Sequence, residues 1–298
     1  MMRIGQTRTS GKRKPAYRRR KPSSTAVELD CAMAFQKIAR DCTAKIMAHH
    51  SSACAVDAEA VHQIRVAITR LRAAVSFFAP MTVDAEWLRL KKEMAWLNGS
   101  LGAARDTDVA LDYAGRARYR VWAQGRIGQD LDERRLRDHR RLVRCLRSLR
   151  FQRLIEALSD WIGRGPWVAR WKKAALRKPT EPLRSHSKHK LDRWHKRLIR
   201  KGRRIETMDP SGRHRLRIKA KRLRYMLEVL TDIVPVSEHG EFRRMHWPAK
   251  RLQRVLGDLR DLERFGRLGA ISAPPEDGKQ SDRRPPGYRA EGCPRGRS

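Results

Sequence analysis

Two eleven-residue segments of this chain spell the same motif. Residues 62–72 read His-Gln-Ile-Arg-Val-Ala-Ile-Thr-Arg-Leu-Arg, and residues 214–224 read His-Arg-Leu-Arg-Ile-Lys-Ala-Lys-Arg-Leu-Arg. A second motif recurs in the same order: Leu97-x-x-x-Leu101-Gly102-x-x-Arg105-Asp106, then Leu252-x-x-x-Leu256-Gly257-x-x-Arg260-Asp261. The two offsets, 152 and 155 residues, nearly agree. An internal duplication of this kind confines the fold to two related halves, roughly 26–130 and 131–270, expected to pack about a pseudo-twofold axis.

The stretches around the motifs read as helices. From Ala26 to Ala48 the apolar set Val27, Cys31, Ala34, Phe35, Ile38, Cys42 and Ile46 recurs at three- and four-residue spacing, which is the period of one helical face. The same reasoning predicts helices over 58–78, 84–116 with a break near Gly99–Gly102, 130–149, 151–162, 188–206, 210–233 and 248–268. Pro248 is placed as the first helical residue of the last one. Gly163, Gly165, Pro166, Pro179 and Pro182 mark 163–187 as a long connection. Alternating runs of β-branched residues are absent, so the fold class is all-α.

A helical wheel separates the faces of the motif helices. At about 100° per residue, His62, Arg65, Thr69 and Arg72 share one arc, as do His214, Arg217, Lys221 and Arg224. Beside them lie apolar arcs: Ile64, Ile68, Leu71 and Val75 in one helix, Leu216, Ala220, Leu223 and Leu227 in the other. Each helix is expected to bury the apolar stripe and present a row of cations, while Arg70 and Arg222 point off that row. Acids are nearly absent from both segments, so the cations repel one another uncompensated. Such a row reads as a holder for an external anion. Further cationic faces are predicted at Arg197, Lys201 and Arg204, and at Arg137, Arg140, Arg144 and Arg147. His62 and His214 hold equivalent places one turn before an Arg, where an imidazole either donates to a phosphate oxygen or packs structurally. Arg105–Asp106 and Arg260–Asp261 read as hydrogen-bonded corners at a helix break.

Composition narrows the ligand. The 69 Lys+Arg against 32 Asp+Glu give a formal net charge of +37, which attracts nucleic acid, phosphate polymers or anionic membrane rather than small neutral metabolites. No apolar run approaches the ~20 residues of a membrane span, and no secretory segment follows the N-terminus, so a soluble cytoplasmic protein is expected. Cys31, Cys42, Cys54, Cys145 and Cys293 are odd in number and widely spaced, as free thiols of a reducing compartment are. His186, His189 and His195 have only Asp192 close by, so neither metal nor cofactor is predicted. Residues 1–25, with nine Lys/Arg and no acid, and the Pro/Gly-rich residues 271–298 read as disordered tails.

The motif blocks resemble the CHAD family, the "conserved histidine α-helical domain". The matching stretches are Val61-His62-Gln63-Ile64-Arg65-Val66 with Arg70-Leu71-Arg72, and Leu101-Gly102 with Arg105-Asp106-Thr107-Asp108. They continue with Phe151-Gln152-Arg153-Leu154-Ile155 leading to Trp161, His214-Arg215-Leu216-Arg217-Ile218-Lys219 with Lys221-Arg222-Leu223-Arg224-Tyr225, and Leu252-Gln253-x-x-Leu256-Gly257. The resemblance spans about residues 26–268. It implies two helical bundles around a basic central groove, and binding of inorganic polyphosphate, in some members at polyphosphate granules. The family's basic positions fall here on His62, Arg65, Arg70, Arg72, His214, Arg217, Lys221, Arg222 and Arg224. Three departures stand out. Thr69 replaces a basic residue, the triphosphate-tunnel domain that often precedes the family's domain is replaced by a short tail, and the Pro/Gly-rich turn after Leu268 implies a short last helix.

The leading functional expectation is therefore non-enzymatic polyphosphate binding through the two rows, with Arg197, Lys201 and Arg204 as additional contacts. RNA or DNA binding is the alternative: charge permits it, but the motif helices carry only Phe77, Phe78 and Tyr225 as aromatics for base stacking. Phosphohydrolase or kinase activity ranks third, because no phosphate-loop motif or alternating carboxylate cluster is present. Asp106 and Asp108 have Asp261 and Glu263 as their counterparts, which suits structural duplication.

Overall fold

The computed structural model describes residues 29–114, 126–177, 182–234 and 239–272. Within them the elements are helices: α1 Cys31–Ala48, α2 His50–Cys54, α3 Ala58–Phe77, α4 Ala79–Thr82, α5 Ala85–Ala114, α6 Arg126–Leu146, α7 Leu149–Arg164, α8 Pro166–Arg177, α9 Leu183–Gly202, α10 Pro210–Thr231 and α11 His239–Ser272. An isolated antiparallel bridge joins Asp30 to Pro182. Side chains set several helix starts. Asp30, Asp57, Ser148 and Asp209 each accept a backbone N–H of the first turn of α1, α3, α7 and α10, satisfying donors that the helix itself leaves open. The residues of 1–28 and 273–298, and hence nearly all of both expected tails, lie outside the described residues.

The chain divides into two compact units, Met1–His189 and Lys190–Ser298. In the first, α3 packs between α1 and α5, and α5 also packs on α6 and α7. Its centre is aromatic. Phe35 meets Phe78, Trp161 and Trp167 edge-on, with ring centroids 5.8, 5.7 and 5.0 Å apart. Trp87 stacks on Trp161 at 5.2 Å. Two of the buried indoles bond through their N–H groups: Trp161 Nε1 donates to Asp84 Oδ1 (3.2 Å) and Trp167 Nε1 to the Trp161 carbonyl (2.9 Å). Asp84 also accepts the Trp87 N–H at 2.8 Å, so a single carboxylate starts α5 and anchors the core tryptophan of α7. In the second unit α10 packs along α11, burying Leu216, Ala220, Leu223, Tyr225, Met226, Leu227 and Leu230.

The helix boundaries depart from the sequence expectation at several places. α5 runs unbroken through Gly99 and Gly102. Neither glycine ends the helix; Gly102 instead admits a side chain from α3, as described below. The supposed connection 163–187 contains α8, with Pro166 as its first residue, because burial of Trp167 and Val168 gives that segment an apolar face. α9 stops at Gly202 rather than near residue 206. α11 starts nine residues before Pro248 and carries that proline inside it over a total of 34 residues. An internal proline costs a helix about 3 kcal/mol. Burial of Phe242 ahead of it and Ala249 behind it offsets that cost, so the last helix is long rather than short. No helix among the described residues is long and apolar enough to cross a membrane.

Candidate anion-binding site

The wheel assignment of the motif helices is reproduced in α3. Ile64, Ile68, Leu71 and Val75 are at most 1% exposed, while His62, Arg65, Thr69 and Arg72 are half-buried. Arg65 leans across α5: a Cβ on Gly102 would sit 2.9 Å from Arg65 Nη1. The absence of a side chain at Gly102 is what lets the guanidinium lie against that helix. Thr69 carries no charge, and its Oγ1 donates back to the Arg65 carbonyl at 2.7 Å. Arg70 lies close enough to Cys42 of α1 to act on its thiol. Burial pushes the Cys42 thiol up to about 12, and the Arg70 guanidinium is the largest influence opposing that rise. Arg70 thus belongs to the seam between α1 and α3, off the row.

α10 repeats the pattern. Leu216, Ala220, Leu223 and Leu227 are buried, Arg217, Lys221 and Arg224 half-buried, and His214 exposed. Arg217 approaches Gly257 of α11 as Arg65 approaches Gly102, but less tightly: a Cβ there would lie 3.9 Å from Arg217 Nε. In both units the Arg of the first motif therefore rests against the Gly of the second. One expectation is corrected here, namely that nothing nearby neutralises the row. Arg224 Nη1 donates to Glu228 Oε1 at 2.6 Å, and Arg224 Nε to Gln253 Oε1 at 2.8 Å. The Arg224 guanidinium also lies 4.3 Å over the Tyr225 ring. Glu228 stands one turn beyond Arg224, just past the motif, which is why an acid count of the motif alone overlooks it. Lys221 Nζ sits 5.5 Å over the same ring.

The remaining predicted residues are placed as follows. Arg197 and Lys201 are exposed on α9, whereas Arg204 lies in the turn beyond its end, its N–H donating to the Lys201 carbonyl. Arg222 is half-buried on a different flank of α10 from the row. Of the Arg-Asp corner, Arg105 and Asp106 are half-buried within continuous α5, and Asp108, two residues on, bonds across helices. Asp108 Oδ1 accepts from Arg135 Nε at 2.9 Å and lies 2.8 Å from His139 Nε2 of α6. The side chains of Arg260 and Asp261 are outside the described residues. His186 stacks on Phe78 with centroids 5.7 Å apart, a packing role. Cys31, Cys42, Cys54 and Cys145 are free thiols. Among the described residues no group of three metal-ligating side chains gathers.

Sequence reasoning passed over Lys219. Its ammonium is within hydrogen-bond reach of Lys201, and that contact, then partial burial, then repulsion by Lys201, Arg215 and Arg222, holds it below the usual lysine range. The visible signal was the spacing of Arg215, Lys219 and Arg222, three cations at helical intervals on the flank opposite the motif row.

These features define an all-α protein with two compact units, each carrying a motif helix whose buried apolar stripe borders a row of cations. The chain belongs to the CHAD family: the sequence model of the CHAD domain matches residues 37–268. Among solved structures it is similar to the CHAD domain from the plant Ricinus communis, at 26% identity and a TM-score of 0.66, covering 82% of this chain and 79% of that one. No curated protein matches it.

Proposed function

We propose that this protein binds inorganic polyphosphate without chemically altering it, through His62, Arg65 and Arg72 on α3 and His214, Arg217 and Lys221 on α10. The observation that carries this reading is the repeated arrangement of Arg against Gly, which sets a guanidinium at the same motif position in each unit. Polyphosphate offers anionic oxygens at regular intervals and no bases. Rows of Arg and Lys donors one or two turns apart match that chemistry through charge-assisted hydrogen bonds. Association with polyphosphate granules in the cytoplasm follows from such affinity.

The test compares long-chain polyphosphate binding by the wild type and by Arg65/Arg72/Arg217/Lys221→Ala. The expected result is a loss of at least two orders of magnitude, since each charged hydrogen bond contributes about 1.5–3 kcal/mol; equal affinity refutes the assignment. RNA is the competitor of choice, because Trp247 is 62% exposed on α11 with Arg251 over its ring and offers one stacking surface for a base. Displacement of polyphosphate by RNA at lower phosphate concentration than the reverse would favour the nucleic-acid reading.

A further inference from the structure

α11 has an outer face that the motif row does not use. On the helical wheel Arg244, Trp247, Arg251 and Arg254 fall within about 80° of one another. Their centre lies about 180° from the stripe of Phe242, Ala249 and Leu256, which is buried. Gln253 and Gly257, the residues of α11 that meet Arg224 and Arg217 of the row, stand about 120° from that centre. All four side chains of the outer face are exposed, and the guanidinium carbon of Arg251 lies 5.4 Å over the Trp247 ring. We propose that this face binds single-stranded nucleic acid, with one base stacked on Trp247 and the phosphodiester backbone held by Arg244, Arg251 and Arg254.

The indole is the decisive feature. Trp87, Trp161 and Trp167 are at most 5% exposed and build the core of the first unit, whereas Trp247 presents most of its surface to water. Apolar area left in water contributes nothing to folding. The contact with Arg251 orients the ring as a cation–π pair and occupies one side of it, so the other side is a flat platform. Every base carries a π-face that can stack on such a platform. Arg244, Arg251 and Arg254 form no ion pair with another described residue; Asp258, one turn beyond Arg254, is the acid nearest their arc on the wheel. Planar guanidinium forks take two oxygens of a phosphate at once, and the three arginines spread over about 15 Å of helix. A bare phosphate chain has no use for the indole, while a nucleotide strand uses both the ring and the cations. A membrane surface would call for a continuous apolar stripe. Here arginines interrupt it, and the other exposed apolar side chains of α11, Val255 and Leu259, lie at the edge of the face. The proposal does not rest on the polyphosphate reading.

The experiment measures binding of a twelve-nucleotide oligothymidylate, of an abasic phosphodiester chain of the same length and of long-chain polyphosphate. The proteins are the full-length wild type, Trp247→Ala and Trp247→Phe, each with a thermal melt to establish that it is folded. The wild type is expected to bind the oligothymidylate at least fivefold more tightly than the abasic chain, as stacking of one base implies. Trp247→Ala is expected to bind the two alike, Trp247→Phe to keep part of the preference, and all three proteins to bind polyphosphate equally. Equal binding of the two strands by the wild type, or a preference that survives in Trp247→Ala, overturns the proposal. So does a loss of polyphosphate affinity in Trp247→Ala, which would make the face part of the row's site. Binding to vesicles of phosphatidylcholine and phosphatidylserine that Trp247→Ala abolishes, without any preference between the strands, assigns the face to an anionic membrane instead. Failure of the polyphosphate reading is seen separately, as long-chain binding that is indifferent to Arg65/Arg72/Arg217/Lys221→Ala.

Discussion

Arg65 lies across Gly102 so closely that a Cβ on the glycine would come within 2.9 Å of Nη1, whereas Arg217 leaves 3.9 Å at Gly257. The same substitution therefore has different consequences in the two units. Alanine within a helix is favoured over glycine by about 0.5–1 kcal/mol. Gly257→Ala meets only ordinary contact, so it raises the melting temperature and leaves polyphosphate affinity unchanged. Gly102→Ala must displace the far end of the Arg65 side chain; it retains most of the helix gain and weakens binding by a factor of about three. Melting curves and binding isotherms of the two variants check the contrast.

Glu228 holds Arg224 out of the row's full charge through a 2.6 Å ion pair. Glu228→Gln preserves the shape and a hydrogen-bond acceptor but removes the negative charge. The expected outcome is tighter polyphosphate binding with a steeper fall on adding salt, the logarithmic slope changing by about one as one more cation takes part in counterion release. A titration series from low to high salt measures it.

Asp108 is buried between Arg135 and His139, with its side chain 5% exposed and that of His139 3% exposed. Removing Asp108 leaves buried His139 without this hydrogen-bond partner, at a cost of about 1–3 kcal/mol, while the partly exposed Arg135 regains water. Asp108→Ala is therefore expected to destabilise the first unit by that amount in chemical unfolding, while a purely ligand-binding role would leave the unfolding midpoint where it is.

The Cys42 thiol is pushed by burial from 9.0 up to about 12 in the folded protein. Between those values the unfolded chain has lost this proton and the folded chain retains it, so unfolding releases a proton and stability falls as pH rises. The slope from this group approaches about 1.4 kcal/mol per pH unit. Cys42→Ala removes that component, which unfolding measured from pH 8 to 11 will show. The same burial predicts that Cys42 reacts with thiol reagents only on unfolding.

Lys219 shows what a sequence can and cannot disclose about a side chain's surroundings. Its neighbours Arg215 and Arg222 share its flank of α10 by helical spacing, which the residue order states directly. Its approach to Lys201, eighteen positions earlier and on another helix, depends on how α9 ends and where the chain turns before α10. Arg70 teaches the same lesson in reverse: it falls within a matched motif, yet its guanidinium acts on Cys42 of α1 and lies off the row. Glu228 was legible at four residues from Arg224 and needed only a longer window.

The all-helical class, the buried stripes of α3 and α10 and the two cation rows follow from residue order alone, because a period of 3.6 sorts side chains onto faces wherever a helix forms. The helix starts at Asp30, Asp57 and Asp209 are equally local, since a capping carboxylate reaches only the N–H groups of the next turn. What packing decided was continuity and pairing. Whether Pro248 would begin a helix or lie inside one, whether Gly102 would break α5 or make room for Arg65, and which carboxylate would bond across α5 and α6 all depended on burial free energies contributed by residues far away in the chain. Local propensities of about 1–3 kcal/mol yield when a neighbouring helix offers more.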